Sequence, residues 1–286
     1  MTVFRDNIRV SSDIFTYLQN NLSGDVILTT SKGIYLQFSS KILLLADKSC
    51  GVTPIGLGLT RFVDFLTVIH PLSGQSVYFC DGAFYFPNGI LKPAWDIVKP
   101  NTQEATPWQE LLRLCAEQLA EQCTNTRGVA PLVAPLLLER PDTDTRHNAY
   151  CKASLPILRE ITESESCNID ESVRQLLGLG LGLTPSLDDV MLGMLYGLQR
   201  FAPKEAKTIA LQNAILTHAP HNTNAISAAY LEAVAKGGMF ESLDNVIRGL
   251  SGTTPLNISP ILQIGSSSGS EMLLGLLLAG KMTMKG

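Results

Sequence analysis

The chain is organised around the stretch Gly178-Leu-Gly-Leu-Gly-Leu-Thr-Pro-Ser-Leu-Asp-Asp189. A nearly all-apolar run from Val190 to Gly197 follows this stretch. Three glycines in five residues give a backbone that can adopt positive φ angles and approach another group closely. The apolar run continues without a break, which predicts a helix that is buried on most of its sides. The stretch therefore predicts a flexible glycine loop that leads into the N-terminus of a core helix.

The start of this predicted helix is a candidate binding site. Ser186 is the expected N-cap, and Asp189 lies three residues further on, as the acidic member of a capping box does. A helix N-terminus carries free N–H groups and a positive partial charge, and both favour a bound anion. The pattern predicts an anion site at which Gly180, Gly182 and Thr184 contact the ligand, together with Ser186.

The same pattern recurs close to the end of the chain. Thr184–Asp189 and Ser266–Glu271 both read hydroxyl-x-Ser-x-x-acid, and a glycine follows the acid four residues later in each copy. The second copy reads as a full capping box. The repeat has two interpretations: two helices begin in the same way, or two helix N-termini face each other across one pocket. The second interpretation places Ser266 and Ser268 in the substrate site.

A third segment rich in hydroxyl groups, which runs from Thr223 to Ser227, also opens a predicted helix. Both of these residues are further candidates for substrate binding. His218 and His221 come shortly before the segment. A lone loop histidine is more often a surface residue than a catalytic base, so neither is assigned a role.

The composition excludes several classes of protein. The chain has 286 residues, of which 45% are hydrophobic and 17% charged, and its net charge is −4. An acidic chain without a basic run does not predict nucleic-acid binding, and no apolar run reaches the ~18 residues of a membrane helix. The N-terminus does not resemble a signal peptide, and the scattered cysteines form no CxxC pair. These features predict a cytoplasmic protein with reduced thiols.

The period of the apolar residues changes once along the chain. Short β-type runs follow one another from about residue 23 to residue 92, among them Val63–Ile69. Beyond a proline-rich boundary near residue 100, a helical period takes over. The predicted fold class is therefore α+β. A β-rich domain at 1–95, either a barrel or a sandwich, precedes an all-helical domain at 107–286 that carries the glycine loop.

The glycine stretch resembles the signature of a known family. Gly-Leu-Thr-Pro-Ser-x-Asp-Asp at 182–189, with Gly193 after it, is similar to the AllH-like family, and so are the segments 223–227 and 265–269. The family includes a subunit of the multi-subunit oxamate carbamoyltransferase of anaerobic allantoin breakdown. It usually has glycine where this chain has Leu187, which places a side chain beside the implied site.

The resemblance implies a function. The complex of this family transfers a carbamoyl group between oxalurate and phosphate, which gives oxamate and carbamoyl phosphate. The chain would then be one subunit of an enzyme, would bind a small anionic ureido substrate, and would have other protein subunits as partners. The competing hypothesis is a non-catalytic scaffold or regulatory subunit, whose glycine loop serves only helix packing. A third hypothesis, an independent hydrolase, lacks a nucleophile with a base in reach.

Asp188 and Asp189 are the candidate catalytic residues, and three roles are open to them. Two carboxylates would repel a phosphate held within a few ångström, so a cation such as Mg²⁺ could stand between them and the phosphate. Alternatively, they accept hydrogen bonds from ureido or amide N–H groups, or they only cap the helix. The chain shows no dedicated set of metal ligands, so the cofactor stays open, with Mg²⁺ as the one candidate.

Overall fold

The computed structural model describes residues 2–39, 41–122, 128–140 and 148–284. The chain forms two compact units. The first contains the residues up to Asn101 together with Gly238–Ser242, and the second contains Thr102–Gly237 and the residues from Leu243 onward. The division into independent domains at 1–95 and 107–286 stays a prediction.

The first unit is an eight-stranded β-barrel. Its strands are β1 (Thr2–Ser11), β2 (Leu22–Thr29), β3 (Gly33–Phe38), β4 (Lys41–Asp47), β5 (Gly56–Leu59), β6 (Ser76–Cys80), β7 (Ala83–Phe86) and β8 (Gly89–Val98). They follow one another around the barrel in the order β1-β5-β4-β3-β2-β6-β7-β8. β8 returns to pair with β1 in parallel over ten residue pairs, which closes the barrel. Of the two predicted alternatives, the barrel is therefore correct and the sandwich was wrong.

The barrel is filled by the inward side chains of the strands and covered by a short helix, α2 (Phe62–Ile69). Another short helix, α1 (Ser12–Tyr17), follows β1. Phe65 of α2 packs edge to face against Phe4 and Phe86, with ring centroids 5.8 and 5.7 Å apart. Such aromatic pairs add to the free energy gained by burying the rings.

The segment Val63–Ile69, predicted as a strand, is part of helix α2. Its buried side chains are Phe62, Phe65 and Ile69, which are three and four residues apart and so share one helix face. The β-branched valines that suggested a strand, Val63 and Val68, lie on the exposed face. β1 and most of β8 were not predicted, because charged residues interrupt their apolar alternation.

The second unit is helical. Its helices are α3 (Gln109–Gln122), α4 (Val133–Leu137), α5 (Ala149–Glu163), α6 (Ile169–Leu176), α7 (Ser186–Phe201), α8 (Ala206–Asn222), α9 (Ala225–Ala235), α10 (Glu241–Leu250), α11 (Ser259–Leu262) and α12 (Ser268–Thr283). The first two residues of α10 belong to the first unit. Every strand of the described residues lies between Thr2 and Val98. The predicted α+β class is confirmed. No helix among the described residues is long and apolar enough to cross a membrane.

Helices α7 and α12 form the centre of the second unit, and almost every residue of their first three turns is buried. They approach so closely that a Cβ atom at Gly193 would overlap the carbonyl oxygen of Met272. In the same way, a Cβ atom at Gly275 would overlap the carbonyl oxygen of Val190. Glycine is therefore required at both positions for the two backbones to touch.

Candidate functional site

The glycine loop joins α6 to α7, and each of its three glycines has a positive φ angle, +82° at Gly178, +128° at Gly180 and +108° at Gly182. A Cβ atom at Gly178 would overlap the carbonyl oxygen of Asn222, and one at Gly180 would overlap the amide of Ser186. A Cβ atom at Gly182 would meet only the carbonyl oxygen of Thr184, at 3.6 Å. Two of the glycines thus allow the loop to pack on the protein, whereas Gly182 faces open space.

The tip of the loop presents backbone donors to solvent. Leu181, Gly182 and Leu183 are exposed. No backbone hydrogen bond between described residues uses the amides of residues 181–184. Successive amides in a turn that contains positive-φ residues make a concavity suited to an anion. Asn224 holds the tip in place, because its Nδ2 donates to the carbonyl oxygen of Leu183 at 2.8 Å.

Asp188 lies beneath the loop with only 1% of its surface exposed. Its Oδ1 accepts the amide of Gly178 at 2.7 Å, and its Oδ2 accepts the hydroxyl groups of Thr223 and Ser227, the latter at 2.6 Å. One carboxylate therefore ties together the start of the loop, the first turn of α7 and the start of α9.

Asp189, also 1% exposed, belongs to a second hydrogen-bonded group. Its Oδ2 accepts the hydroxyl of Thr184 at 3.0 Å, and Ser268 lies close enough to the same carboxylate to lower its pKa. The two hydroxyl oxygens are themselves 3.1 Å apart. The end of the glycine loop and the start of α12 are thus joined through Asp189.

Glu271 is the counterpart of Asp189 on α12 and is completely buried. Its Oε1 accepts the amide of Val129 at 3.1 Å, and Ser186 and Ser267 lie close enough to its carboxylate to lower its pKa, whereas its buried Oε2 has no hydrogen-bond partner among the described residues. Each helix therefore places its first serine beside the carboxylate of the other helix, Ser268 beside Asp189 and Ser186 beside Glu271. The repeated sequence pattern therefore marks two helix starts whose first serines and acids face each other in this reciprocal way.

The predicted caps were wrong. The N-cap of α7 is Pro185 and that of α12 is Ser267, and neither makes a side-chain capping bond. Ser186 and Ser268 are instead the first helical residues, and each lies beside the carboxylate of the opposite helix.

The amides at the start of α7 also have acceptors of their own. The amide of Leu187 donates to Leu179, and those of Asp188 and Asp189 donate to Pro185. These three donors are therefore not free to bind an anion, in contrast to the amides at the tip of the loop.

Burial raises the pKa of all three carboxyl groups. The pKa of Asp189 lies well above its ordinary value, because the group is desolvated and because Glu271 is close to it. Desolvation likewise raises the pKa of Asp188 and of Glu271, although their hydrogen bonds act in the opposite direction. Burial therefore disfavours the charged form of each of the three groups.

A comparison with protein families bears on this region. Residues 176–280 match the family model described as oxamate carbamoyltransferase subunit AllH. The predicted resemblance to the AllH-like family is thereby confirmed. No solved structure matches the chain. The AllH match begins just before the glycine loop and ends within α12, so it contains both helix starts and all three buried carboxylates.

The structure brings most of the predicted site residues of the AllH-matched segment together. The buried residues are Asp188, Asp189, Ser186 and Ser227, and the half-buried ones are Thr184, Thr223, Ser268 and Gly180, the last of which lies against α7. The exposed residues are Gly182 and Ser266. Cavities of about 430 and 450 Å³ lie elsewhere, and no residue of the loop lines them. A pocket at the loop therefore stays a prediction.

Sequence reasoning missed several groups of the site. Asn224, which holds the loop tip, is also the N-cap of α9, and its position before an apolar helix was a signal for that role. The amide of Val129 could not have been found, because it comes from a distant turn. His218 pairs with Asp170 at 3.0 Å and lies outside the site.

The described residues do not test the Mg²⁺ hypothesis directly. They contain no group of three or more His, Cys, Asp or Glu side chains that could hold a metal ion. Both oxygens of Asp188 already accept hydrogen bonds from protein donors. Mg²⁺ as a cofactor stays a hypothesis.

Proposed function

We propose that the chain is a cytoplasmic subunit of a carbamoyl-transferring enzyme of the AllH type. In the reaction, the carbamoyl carbon of oxalurate loses its bond to the nitrogen of the oxamate portion and forms one to a phosphate oxygen. The proton lost by phosphate goes to that nitrogen, so the products are oxamate and carbamoyl phosphate. Other protein subunits are the expected partners, as the family description implies.

The observation that carries this proposal is the exposed tip of the glycine loop inside the family match. The amides of residues 181–184 are free of backbone hydrogen bonds among the described residues, and Gly182 has no side chain to cover them. The hydroxyl groups of Thr184 and Ser268 lie next to this tip. Backbone donors suit a carboxylate or phosphate, and hydroxyl groups can accept a ureido N–H.

The buried carboxylates hold the loop in place through hydrogen bonds. Asp188 accepts the amide of Gly178, and Asp189 accepts the hydroxyl of Thr184. At 1% exposure, Asp188 and Asp189 do not reach a ligand at the surface. We therefore assign them a positioning role: they fix the loop and the two helix starts in the geometry that the substrate needs.

A partner subunit would complete this site. Leu181 and Leu183, on either side of Gly182, are 57% and 45% exposed. Single exposed leucines are common on protein surfaces, but two of them beside an anion site suit a partner that closes over the substrate and excludes water.

The test is ligand-dependent thermal stabilisation, measured for the chain alone and for the reconstituted complex with oxalurate, oxamate, carbamoyl phosphate and phosphate. A ligand that binds only the folded state raises the melting temperature. Gly182→Ala distorts the loop tip and should abolish the shift. Gly82→Ala is the matched control, because Gly82 also has a positive φ and faces open space, in the β6–β7 turn of the barrel.

Retention of the shift in Gly182→Ala would show that the ligand binds elsewhere. No shift with any of the four ligands, in the chain or in the complex, would favour the scaffold hypothesis.

A further inference from the structure

A second group of polar residues lies on the barrel, far along the chain from the AllH-matched segment. It surrounds a cavity of about 430 Å³. Its lining residues are Arg5, Asp6, Asn7, Thr60, Arg61, Lys92, Pro93 and Ala94. Pockets for small ligands have volumes of ~300–1,000 Å³, so a small ligand fits this one.

The register of the parallel β1–β8 pair sets two cations side by side. Arg5 is the direct partner of Lys92, and both are exposed, whereas their neighbours Phe4 and Leu91 are buried in the barrel. Like charges placed directly opposite each other destabilise a strand pair. None of the ion pairs between described residues includes Arg5 or Lys92.

The same strand pair shows how such charges are usually balanced. Four residues further along, Arg9 is the partner of Asp96, and the two form an ion pair of 3.2 Å. The pairing of Arg5 with Lys92 is therefore a local departure, and it leaves two cations without a carboxylate.

A third cation is fixed at the same place. The guanidinium of Arg61 donates to the carbonyl oxygen of Arg5 and lies 4.7 Å from the ring centroid of Phe4. Asp6, the only carboxylate of the lining, has a side chain that is just 3% exposed, and it accepts the amides of Asn7 and Arg61 at 2.9 and 2.8 Å. Three cations and one carboxylate leave a formal charge of +2 in a chain whose net charge is −4.

We propose that this cavity, formed by Arg5, Lys92 and Arg61, binds an oxyanion of the phosphate class. The ligand is either free phosphate or the phosphoryl group of a small metabolite. Guanidinium groups match the geometry of phosphate oxygens, and lysine adds a point charge. Because the three cations are largely exposed, the binding weakens steeply with salt.

The experiment is a titration of the full chain, followed by the amide chemical shifts of Asn7, Thr60 and Ala94 in NMR spectra. The ligands are inorganic phosphate, a small phosphomonoester, and chloride at matched ionic strength. The proposal expects saturable shifts with phosphate or with the phosphomonoester, and none with chloride. Tighter binding of the phosphomonoester would identify the phosphoryl group of a metabolite as the ligand.

The double variant Arg5→Gln, Lys92→Gln removes the two unpaired cations and should weaken phosphate binding about tenfold or more. The control Lys32→Gln, Lys48→Gln changes the net charge equally, at exposed positions outside the cavity, and should bind as the wild type does.

Absence of saturable shifts in the wild type, equal shifts with chloride, or unchanged affinity in the double variant would overturn the proposal. In Gly182→Ala, the phosphate-induced chemical-shift changes of the barrel amides should persist. That result would show that the barrel cavity binds phosphate independently of the glycine loop.

Discussion

Gly193 of α7 and Gly275 of α12 are equivalent positions in one helix crossing, each pressed against a carbonyl oxygen of the opposite helix. Each glycine follows the buried acid of its own helix by four residues, so it lies one turn beyond Asp189 or Glu271 on the same face. The closeness of the two backbones is what brings the serine of each helix within reach of the other's carboxylate.

Gly275→Ala should therefore destabilise the helical unit by about 2 kcal/mol or more, since overpacking against a backbone oxygen forces the helices apart. Gly280→Ala, in the same helix, is the control. There the new Cβ meets the flexible end of Leu112, and alanine favours the helix by ~1 kcal/mol. Urea unfolding followed by circular dichroism measures both. Equal stability of the two variants would contradict the close crossing.

Asp188→Asn should fold with a nearly unchanged melting temperature. The amide oxygen can accept the N–H of Gly178, and the hydroxyl groups of Thr223 and Ser227 can rotate to accept from the amide nitrogen. Asp188→Ala leaves these donors buried without a partner and should cost about 1–3 kcal/mol. Calorimetry of the two variants provides the comparison. A large loss in the asparagine variant would mean that the charge itself stabilises the fold.

The free energy of unfolding should depend on pH in part because of the buried carboxyl group of Asp189. Its folded pKa lies above the ordinary value of 3.8, so the folded state holds the proton more tightly than the unfolded state does. This stabilisation is complete below about pH 4 and is lost as the pH rises toward the folded pKa, by at most ~1.4 kcal/mol per pH unit.

Asp189→Asn removes this contribution, so the stability of the variant relative to the wild type should increase with pH above about 4. Urea unfolding at several pH values gives the difference. Asp64→Asn, which changes an exposed carboxylate of α2, serves as the control. A difference that does not vary with pH in Asp189→Asn would refute the assignment.

Glu241 should stabilise the barrel, although it comes late in the chain. Its Oε2 accepts the amide of Val52 at 2.9 Å and pairs with Arg9 at 3.0 Å. Glu241→Ala should therefore cost about 1–3 kcal/mol, because the Val52 amide loses its acceptor. Glu241→Gln keeps an acceptor oxygen and should lose less. Denaturation followed by tryptophan fluorescence measures the stability of both variants. Equal losses of stability would show that the charge of Glu241, rather than its acceptor oxygen, stabilises the barrel.

The sequence was sufficient for the main features of the fold. The β-rich start, the helical remainder and the glycine loop before α7 all follow from periodicity and from the position of glycine. The four-residue spacing from acid to glycine also indicated that a second helix could approach Gly193 and Gly275, but not which helix it would be. Local patterns of this kind need no knowledge of distant residues.

The partners of the polar groups could not be predicted, because they lie far apart in the chain. Ser186 fits the pattern of a helix cap, and nothing near it in the sequence indicates that its neighbour in the fold is Glu271, 85 residues later. For the same reason, the sequence around Asp188 did not indicate that the hydroxyl groups of Thr223 and Ser227 would donate hydrogen bonds to its carboxylate. Long-range contacts override local propensity at these positions.

The closure of the barrel by β8 and β1 limits how another protein can attach to it. Every strand of the barrel has a neighbour on both sides, so its backbone offers no edge to which a foreign strand could add. A partner must instead recognise side chains on the outer surface or in the connecting loops. Mutations of such side chains, rather than peptides that mimic a strand, are therefore the reagents that would dissociate a complex formed through the barrel.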